Sequence, residues 1–142
     1  MSAEIVSLTG GTGSNSDKGG NSESDISANN GCCFSRSTRS LLTTVKGARI
    51  IGTGFDSCYS VSLDSSGNVY VVGFFTSNPL TFYNSDGTSF GTTLTVSTGL
   101  DGFVAKYNSS GFCQWCSKIT GNGANDYVTS LIADSSGNIY AT

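Results

Sequence analysis

The cysteines of Cys113-Gln-Trp-Cys116 have the C-x-x-C spacing that redox motifs and zinc sites use. A structural zinc site needs a second pair of ligands, and the 142-residue chain has no histidine to supply one. The adjacent pair Cys32-Cys33 has a poor geometry for sharing a tetrahedral site. A thioredoxin-like motif would lie beside a βαβ pattern, which this sequence lacks. We therefore predict no metal and no cofactor at the motif.

The local pattern further predicts that these two thiols do not meet. Residues 112–119 form a candidate strand, and side chains three positions apart on a strand point to opposite faces. Cys113 and Cys116 are thus expected to be ordinary small residues beside a structural Trp115. Cys58 and the odd total of five cysteines argue against a closed disulfide framework. Unpaired cysteines slightly favour a reducing interior or a virion-like assembly.

Carboxylates are the second candidate source of chemistry. Glycosidases need two carboxylates across a cleft, one with its pKa raised by burial. Asp56, Asp64, Asp126 and Asp134 occur in two similar stretches, but the pattern does not place two of them opposite each other. The lack of histidine excludes Ser-His-Asp triads and Cys-His pairs. We expect no catalytic residue, and a hydrolase is the least favoured function.

Aromatic side chains next to Asn and Asp can bind sugars by stacking and hydrogen bonding. A polar segment between two strand patterns contains four candidate ligand-facing residues, with a glycan as their candidate ligand. These residues are Phe82, Tyr83, Asn84 and Asp86. Other aromatic residues, such as Tyr70, Phe103 and Tyr140, are expected to fill the space between sheets.

Charge and hydropathy exclude several classes of partner. Charged residues are 12% of the chain, the net charge is -3, and the pI is near 4.5, whereas nucleic-acid binders normally carry a basic patch. No run approaches the roughly 18 apolar residues of a membrane span. The start lacks the basic and apolar regions of a secretory signal. We expect no nucleic acid and no membrane span, and the compartment stays open between the cell interior and a virion or surface assembly.

The composition changes near residue 40. From residue 7 to residue 30 almost every residue is Ser, Gly, Asn, Thr or charged. Such a segment buries too little apolar surface to offset its ordering entropy. Residues 1–40 are therefore predicted to be a largely disordered low-complexity leader, or alternatively an arm that orders on a partner, and residues 41–142 a folded region.

The folded region has the pattern of an all-β protein. Short runs of Val, Ile, Tyr, Phe and Thr alternate with clusters of Gly, Asn, Asp and Ser. No stretch of eleven residues keeps a 3.6-residue apolar period with helix caps. The candidate strands span residues 58–63, 68–75, 103–107, 112–119, 127–133 and 138–141.

An internal repeat is the most specific signal in the sequence. Val61-Ser-Leu-Asp-Ser-Ser-Gly-Asn-Val-Tyr70 recurs 70 residues later as Leu131-Ile-Ala-Asp-Ser-Ser-Gly-Asn-Ile-Tyr140. Each copy predicts a hairpin, in which Asp bonds to backbone N–H groups and Gly takes the left-handed position. The predicted turn residues are Asp64, Gly67, Asn68, Asp134, Gly137 and Asn138. A calcium loop is the alternative, but the motif lacks the alternating carboxylates and terminal Glu of an EF-hand.

These residues, with Asp101-Gly-Phe-Val-Ala-Lys-Tyr107 and Trp115, resemble the SBBP repeat of seven-bladed β-propellers over about residues 49–142. The resemblance implies antiparallel blades, one over about 50–119 and the start of the next over 120–142. It places Asp101 at the start of a third strand and Trp115 in the fourth. It implies no catalytic residues, and residues 76–99 lengthen the repeat beyond the roughly 40 to 50 residues of typical blades.

The length allows only about one and a half blades, because even four minimal blades need about 160 residues. Such a piece is expected to leave blade faces and strand edges open, so a stable monomer is not expected. Two explanations follow: a fragment of a longer repeat protein, or a subunit whose sheets are completed by other copies or other proteins. The favoured function is a non-catalytic structural or protein-interaction scaffold. A lectin-like, glycan-binding propeller module is the alternative, and a propeller hydrolase is least favoured.

Overall fold

The computed structural model describes residues 4–10, 32–38, 46–123 and 125–142. The first two segments, and Lys46, are described by their backbone alone. The strands are β1 (Glu4–Gly10), β2 (Cys32–Thr38), β3 (Lys46–Ile51), β4 (Asp56–Leu63), β5 (Val69–Phe75), β6 (Leu80–Tyr83), β7 (Ser89–Leu94), β8 (Asp101–Tyr107), β9 (Cys113–Ile119), β10 (Leu131–Ala133) and β11 (Ile139–Ala141). The described residues contain no helix, and all strand pairs are antiparallel, which confirms the all-β prediction.

Strands β4, β5, β8 and β9 form one four-stranded antiparallel sheet in that order, as expected of a propeller-type blade. Asp56 pairs with Phe75, and Phe75 pairs with Asp101 on its other side. Every residue of β5 is buried, since this central strand is covered on both faces. Its apolar sequence, without polar alternation, follows from that position. As the resemblance implied, Asp101 begins the third strand of this sheet, and Trp115 lies in the fourth.

The segment between β5 and β8 does not form a loop alone but adds strands to a second sheet. Strands β6 and β7 form a hairpin, and the sheet order is β1-β2-β3-β6-β7. Strand β6 pairs with β3 through Arg49 and Tyr83, Ile50 and Phe82, and Ile51 and Thr81. The repeat is therefore long because its insert joins a strand that precedes the blade.

The predicted leader contains two described segments. Glu4–Gly10 and Cys32–Thr38 are strands β1 and β2, paired with each other from Glu4 with Thr38 to Gly10 with Cys32. The other residues of the predicted leader lie outside the described residues. So do residues 41–45, with which the predicted folded region begins.

Both faces of the first blade are covered, and the expected open face lies instead on the following hairpin, where Ile132 and Tyr140 are 60% and 61% exposed. One face of the blade, which we call the insert face, packs against β3, β6 and β7. The buried cluster on this face includes Val71, Phe103, Ala105, Phe82 and Ile50. The second sheet supplies the layer that a neighbouring complete blade would otherwise supply. The expectation that the chain is not a stable monomer stays a prediction.

The opposite face packs against the short hairpin of β10 and β11. We call this side of the blade the hairpin face. It contributes Tyr70, Val72 and Val104, which cluster with Val128 and Leu131. The blade is thus sandwiched between the second sheet and the first hairpin of a following partial blade. No helix in the described part of the chain has the length and apolar character needed to cross a membrane.

Candidate functional site

The first repeated turn is built around the carboxylate of Asp64. Its Oδ1 accepts hydrogen bonds from the backbone N–H groups of Ser66 and Asn68, both at 2.9 Å. Its Oδ2 accepts from Asn68 Nδ2 at 2.7 Å. Gly67 has φ of 75°, a left-handed conformation that glycine adopts without a steric penalty. The carboxylate therefore organises the turn through hydrogen bonds from Ser66 and Asn68.

The second turn repeats this geometry around Asp134. Its Oδ1 accepts from Ser136 N at 2.9 Å and Asn138 N at 2.8 Å, and its Oδ2 accepts from Asn138 Nδ2 at 2.8 Å. Gly137 has φ of 82°. The bonds from Asn138 lower the pKa of Asp134, while the pKa of Asp64 is lowered by hydrogen bonds that outweigh the opposing effect of its burial. The described residues contain no group of three or more acidic or cysteine side chains that could hold a metal ion.

The two turns contact each other directly. Tyr70 donates its hydroxyl to Asp64 Oδ2 at 3.1 Å and lies 3.3 Å from the carbonyl oxygen of Gly137. On the same seam, Ala133 N donates to Ser62 Oγ at 3.1 Å. Tyr70 is 1% exposed, whereas its counterpart Tyr140 is 61% exposed. The sequence predicted that Tyr70 lies between sheets, but it did not predict that the hydroxyl of Tyr70 connects the two turns.

The C-x-x-C motif lies in β9, where the prediction of opposite faces is wrong. Tyr107 pairs with Cys113 and Lys106 pairs with Trp115, so Gln114 is an extra residue in a β-bulge. The bulge shifts the alternation by one position and turns both thiols toward the insert face, where they pack with Tyr107. The alternating pattern of the sequence does not show where an extra residue interrupts it.

Both thiols of the motif are free and are held in the protonated form. Burial, with the neighbouring Cys116 adding to it, raises the pKa of Cys113 to about 12. Burial raises the pKa of Cys116 to about 11. Since a nucleophilic or metal-binding cysteine acts as a thiolate, this environment disfavours both roles. Cys58, by contrast, is disulfide-bonded, which the odd cysteine count did not predict.

The insert does not present its predicted residues as one ligand surface. Phe82 is fully buried in the cluster of the insert face, so its prediction as a ligand-facing residue is wrong. The alternation of Leu80 and Phe82 with polar residues is that of a half-buried strand, a signal that was available in the sequence. Tyr83 is half-buried, with the guanidinium of Arg49 5.3 Å from its ring centroid.

Asn84 and Asp86 shape the turn at the tip of the insert. Asn84 Oδ1 accepts from Cys113 N at 2.9 Å and so fastens the insert to β9. Asp86 is exposed, and its Oδ1 accepts from the backbone N–H of Thr88 at 2.9 Å and from its hydroxyl at 2.6 Å. The two bonds from Thr88 lower the pKa of Asp86.

Two buried carboxylates are fully engaged in structural contacts. Asp56 accepts from the backbone N–H groups of Thr76 and Ser77 at 3.1 and 3.2 Å, and from the Ser77 hydroxyl. Asp101 forms an ion pair with Lys118 Nζ at 3.2 Å and accepts from Thr120 Oγ1 at 2.9 Å. Burial opposes ionisation of Asp101, but hydrogen bonds and Lys118 outweigh it and lower its pKa. The environment of Asp101 is therefore not that of a general acid, which needs a raised pKa.

A cluster of aromatic rings lies at the end of the blade where β4 begins and β5 ends. Phe55, Tyr59 and Tyr127 surround Phe74, with ring centroids 5.5, 5.3 and 5.6 Å from it, respectively. The three outer rings are exposed by 58%, 46% and 48%, while Phe74 is 4% exposed. We call these four residues the aromatic cluster. The sequence pattern did not distinguish its exposed rings from core residues.

Comparison with known proteins shows a partial similarity. No family model matches the sequence. An uncharacterized WD repeat-containing protein of Acanthamoeba polyphaga mimivirus is 37% identical over 68 residues, which is 48% of this chain. The chain spans about 5% of the length of that relative. The matched length is close to the 70-residue spacing of the internal repeat.

Proposed function

We propose that this chain is part of a non-catalytic, SBBP-like β-propeller-type repeat protein that acts as a structural or protein-interaction scaffold. The observation that carries the proposal is the packing of equivalent elements at a 70-residue spacing. The turn at Asp64 contacts the turn at Asp134, and the hairpin face of the blade packs on the hairpin that repeats its first two strands. Repeat proteins gain much of their stability at such interfaces between neighbouring units.

The chemistry of the described side chains supports a role without catalysis. Asp64 and Asp134 hold turns, Asp101 is held in an ion pair, and the free thiols have raised pKa values. Partial similarity to a WD repeat-containing protein also supports a repeat scaffold. Further repeats or partner proteins would complete the assembly, of which a virion or surface structure is one form. Glycan binding through Tyr83, Asn84 and Asp86 stays a prediction.

Lengthening the repeat array tests the architectural part of the proposal. Thr142 corresponds to Val72, so residues 73–142 can be appended directly after Thr142 to give one more unit in register. We expect a higher free energy of unfolding in urea and slower hydrogen exchange in β11, because the new unit would cover Tyr140 as Tyr70 is covered. The matched control appends a Gly/Ser linker of equal length. An appended repeat that unfolds separately and leaves the first transition unchanged contradicts the proposal.

The scaffold role is tested by measuring the size and composition of the complexes that contain the protein in native extracts of its cells or particles. A scaffold is expected to elute in a complex of defined stoichiometry and to cross-link reproducibly to the same neighbours. Elution of the chain alone, at the size of its own polypeptide, contradicts this role.

A further inference from the structure

We propose that Asn122 is a site of spontaneous deamidation, at which the side-chain amide is converted to a carboxylate by attack of the protein's own backbone. The site lies in the loop between β9 and the second repeated hairpin and does not depend on the scaffold function. Asn122 is followed by Gly123, and both residues are exposed. Asparagine is a thermolabile residue type, and a following glycine has no side chain to hinder the approach of its backbone nitrogen.

The reaction needs only the peptide and water. The backbone nitrogen of Gly123 loses its proton to a solvent base and attacks the side-chain carbonyl carbon of Asn122. The bond from that carbon to the amide nitrogen breaks, ammonia leaves with a proton from solvent, and a succinimide ring closes. Water then opens the ring at either carbonyl, which gives aspartate or isoaspartate. Each event consumes a water molecule and releases ammonia, and no electrons are transferred.

The nucleophilic nitrogen is available, unlike its counterpart in the first repeat. Gly54 occupies the equivalent position there, and its N–H donates to Ser77 Oγ at 2.7 Å. The N–H of Gly123 donates to none of the residues that the structure describes. A Cβ added at Gly54 would lie 2.5 Å from Thr76 Oγ1, whereas one added at Gly123 would meet nothing within 4 Å. The space that packing closes around Gly54 is therefore open around Gly123.

The repeat does not require asparagine at position 122. Arg49-Ile-Ile-Gly-Thr-Gly54 matches Lys118-Ile-Thr-Gly-Asn-Gly123, so Thr53 stands where the second copy has Asn122. The side-chain amide of Asn122 forms no hydrogen bond to another residue within the described ranges. Its conversion to a carboxylate therefore breaks no described contact of that amide.

The other described asparagines are protected in ways that Asn122 is not. Asn78 precedes a proline, whose nitrogen carries no proton and cannot attack. Asn125 precedes Asp126, whose N–H already donates to the carbonyl oxygen of Leu100 at 2.9 Å. The remaining ones use their side chains in hydrogen bonds that fix turns: Asn68, Asn84, Asn108 and Asn138.

The product would act on the joint between the first blade and the second hairpin. Gly121 N donates to Asp126 Oδ2 at 2.8 Å and so closes the loop that contains Asn122. A carboxylate at position 122 adds a second negative charge to this short loop, and like charges repel. Isoaspartate also routes the main chain through the side chain, which lengthens the loop by a methylene group. We expect the bond from Gly121 to Asp126 to weaken as the protein ages.

The test incubates the full 142-residue chain at pH 8 and follows each asparagine by mass spectrometry after rapid digestion. Cleavage by trypsin after Lys118 releases residues 119–142, so Asn122, Asn125 and Asn138 are compared in one peptide. We expect Asn122 to deamidate at least about tenfold faster than the other two, an activation barrier lower by about 1.4 kcal/mol or more. The rate should rise with pH, because the attacking nitrogen must first lose its proton.

Two variants separate the chemistry from folding. Gly123→Ala adds a Cβ that meets no atom within 4 Å, so it should leave the fold intact. Its methyl group hinders the attack and should slow deamidation of Asn122 about tenfold or more. Asn122→Thr introduces the residue of the first repeat and should remove the modification without lowering thermal stability. Circular dichroism establishes that both variants are folded.

The proposal is overturned if Asn122 deamidates no faster than Asn125 and Asn138, or if Gly123→Ala leaves its rate unchanged. It is equally overturned if Asn122 reacts more than about tenfold more slowly in the folded chain than in urea, because the loop would then hold the nitrogen away from the amide. The other Asn-Gly pair, Asn30-Gly31, lies outside the described residues and in a different tryptic peptide, so it is scored separately.

Discussion

Ser65 donates a hydrogen bond from its hydroxyl to the carbonyl oxygen of Ser135, the residue that occupies the same position one repeat later, over 3.0 Å. A contact between equivalent residues means that the two turns are stacked in register and not merely near each other. The stacking continues beneath them, where the hydroxyl of Tyr70 joins Asp64 of its own turn to Gly137 of the next. The two repeats are thus coupled through hydrogen bonds between their turns as well as through apolar packing.

Removing the hydroxyl of Tyr70 tests this coupling. Tyr70→Phe leaves the ring in place but removes the hydroxyl that donates to Asp64 and lies 3.3 Å from the carbonyl oxygen of Gly137. We expect it to lower the free energy of unfolding by about 1 kcal/mol in urea titrations. Tyr140→Phe is the matched control, because that ring is largely exposed, and it should change stability little. Equal effects of the two substitutions would show that Tyr70 does not couple the turns.

The left-handed glycines of the two turns give a second prediction. Gly67→Ala and Gly137→Ala should each cost about 1 kcal/mol or more in unfolding free energy, because φ is 75° and 82° at these positions. Gly123→Ala is the control, since it has no positive φ and a Cβ there meets no atom within 4 Å. Thermal unfolding of the three variants measures the difference, and a loss at Gly123 as large as at Gly67 would refute the explanation.

The ion pair of Asp101 predicts how stability depends on pH. The folded-state pKa of Asp101 is lowered below the ordinary 3.8, so its contribution is fully present above that value and is lost as pH falls toward the folded-state pKa. Asp101→Asn should cost about 2 kcal/mol at neutral pH, the range for hydrogen bonds to charged groups. The difference from the unsubstituted chain should shrink below pH 4, and a constant difference from pH 7 to pH 2 would contradict this role.

The raised pKa values of Cys113 and Cys116 predict slow alkylation of the folded chain. At pH 8 both side chains remain thiols rather than thiolates, so iodoacetamide should label them many times more slowly than in urea. Mass spectrometry after timed quenching measures the two rates. Labelling of the folded chain at the unfolded rate would mean that these thiols are not protected by the insert face.

Local patterns predicted the blade well, because its strands are short apolar runs separated by turn residues with a clear mechanism. Residues 68–75 and 103–107, for example, lie within one residue or two of the ends of β5 and β8. The antiparallel all-β architecture followed from the same signals. These features depend on neighbours in the chain, which a sequence pattern contains.

Features that depend on distant residues were missed. The pairing of Ile50 with Phe82 spans β4 and β5 in sequence, so the alternation around Phe82 indicated a half-buried strand but not which strand would bury it. The bulge at Gln114 placed Cys113 and Cys116 on the same face of the strand and not on opposite faces, because one extra residue shifts the alternation between them. The aromatic cluster brings together residues 55 and 127, and composition alone does not reveal such a meeting.

The turn of the β6–β7 hairpin is a suitable place to divide the chain into two fragments. Gly87 at its tip is exposed, and a Cβ added there would touch nothing within 4 Å. A cut at this turn would leave β5 and β6 on one fragment and their partners β8 and β7 on the other. Ser85 would still donate its backbone N–H to the carbonyl oxygen of Gly111 across the cut. Two separately produced halves divided at Gly87 should therefore reassemble by fragment complementation, which makes the protein a candidate split reporter.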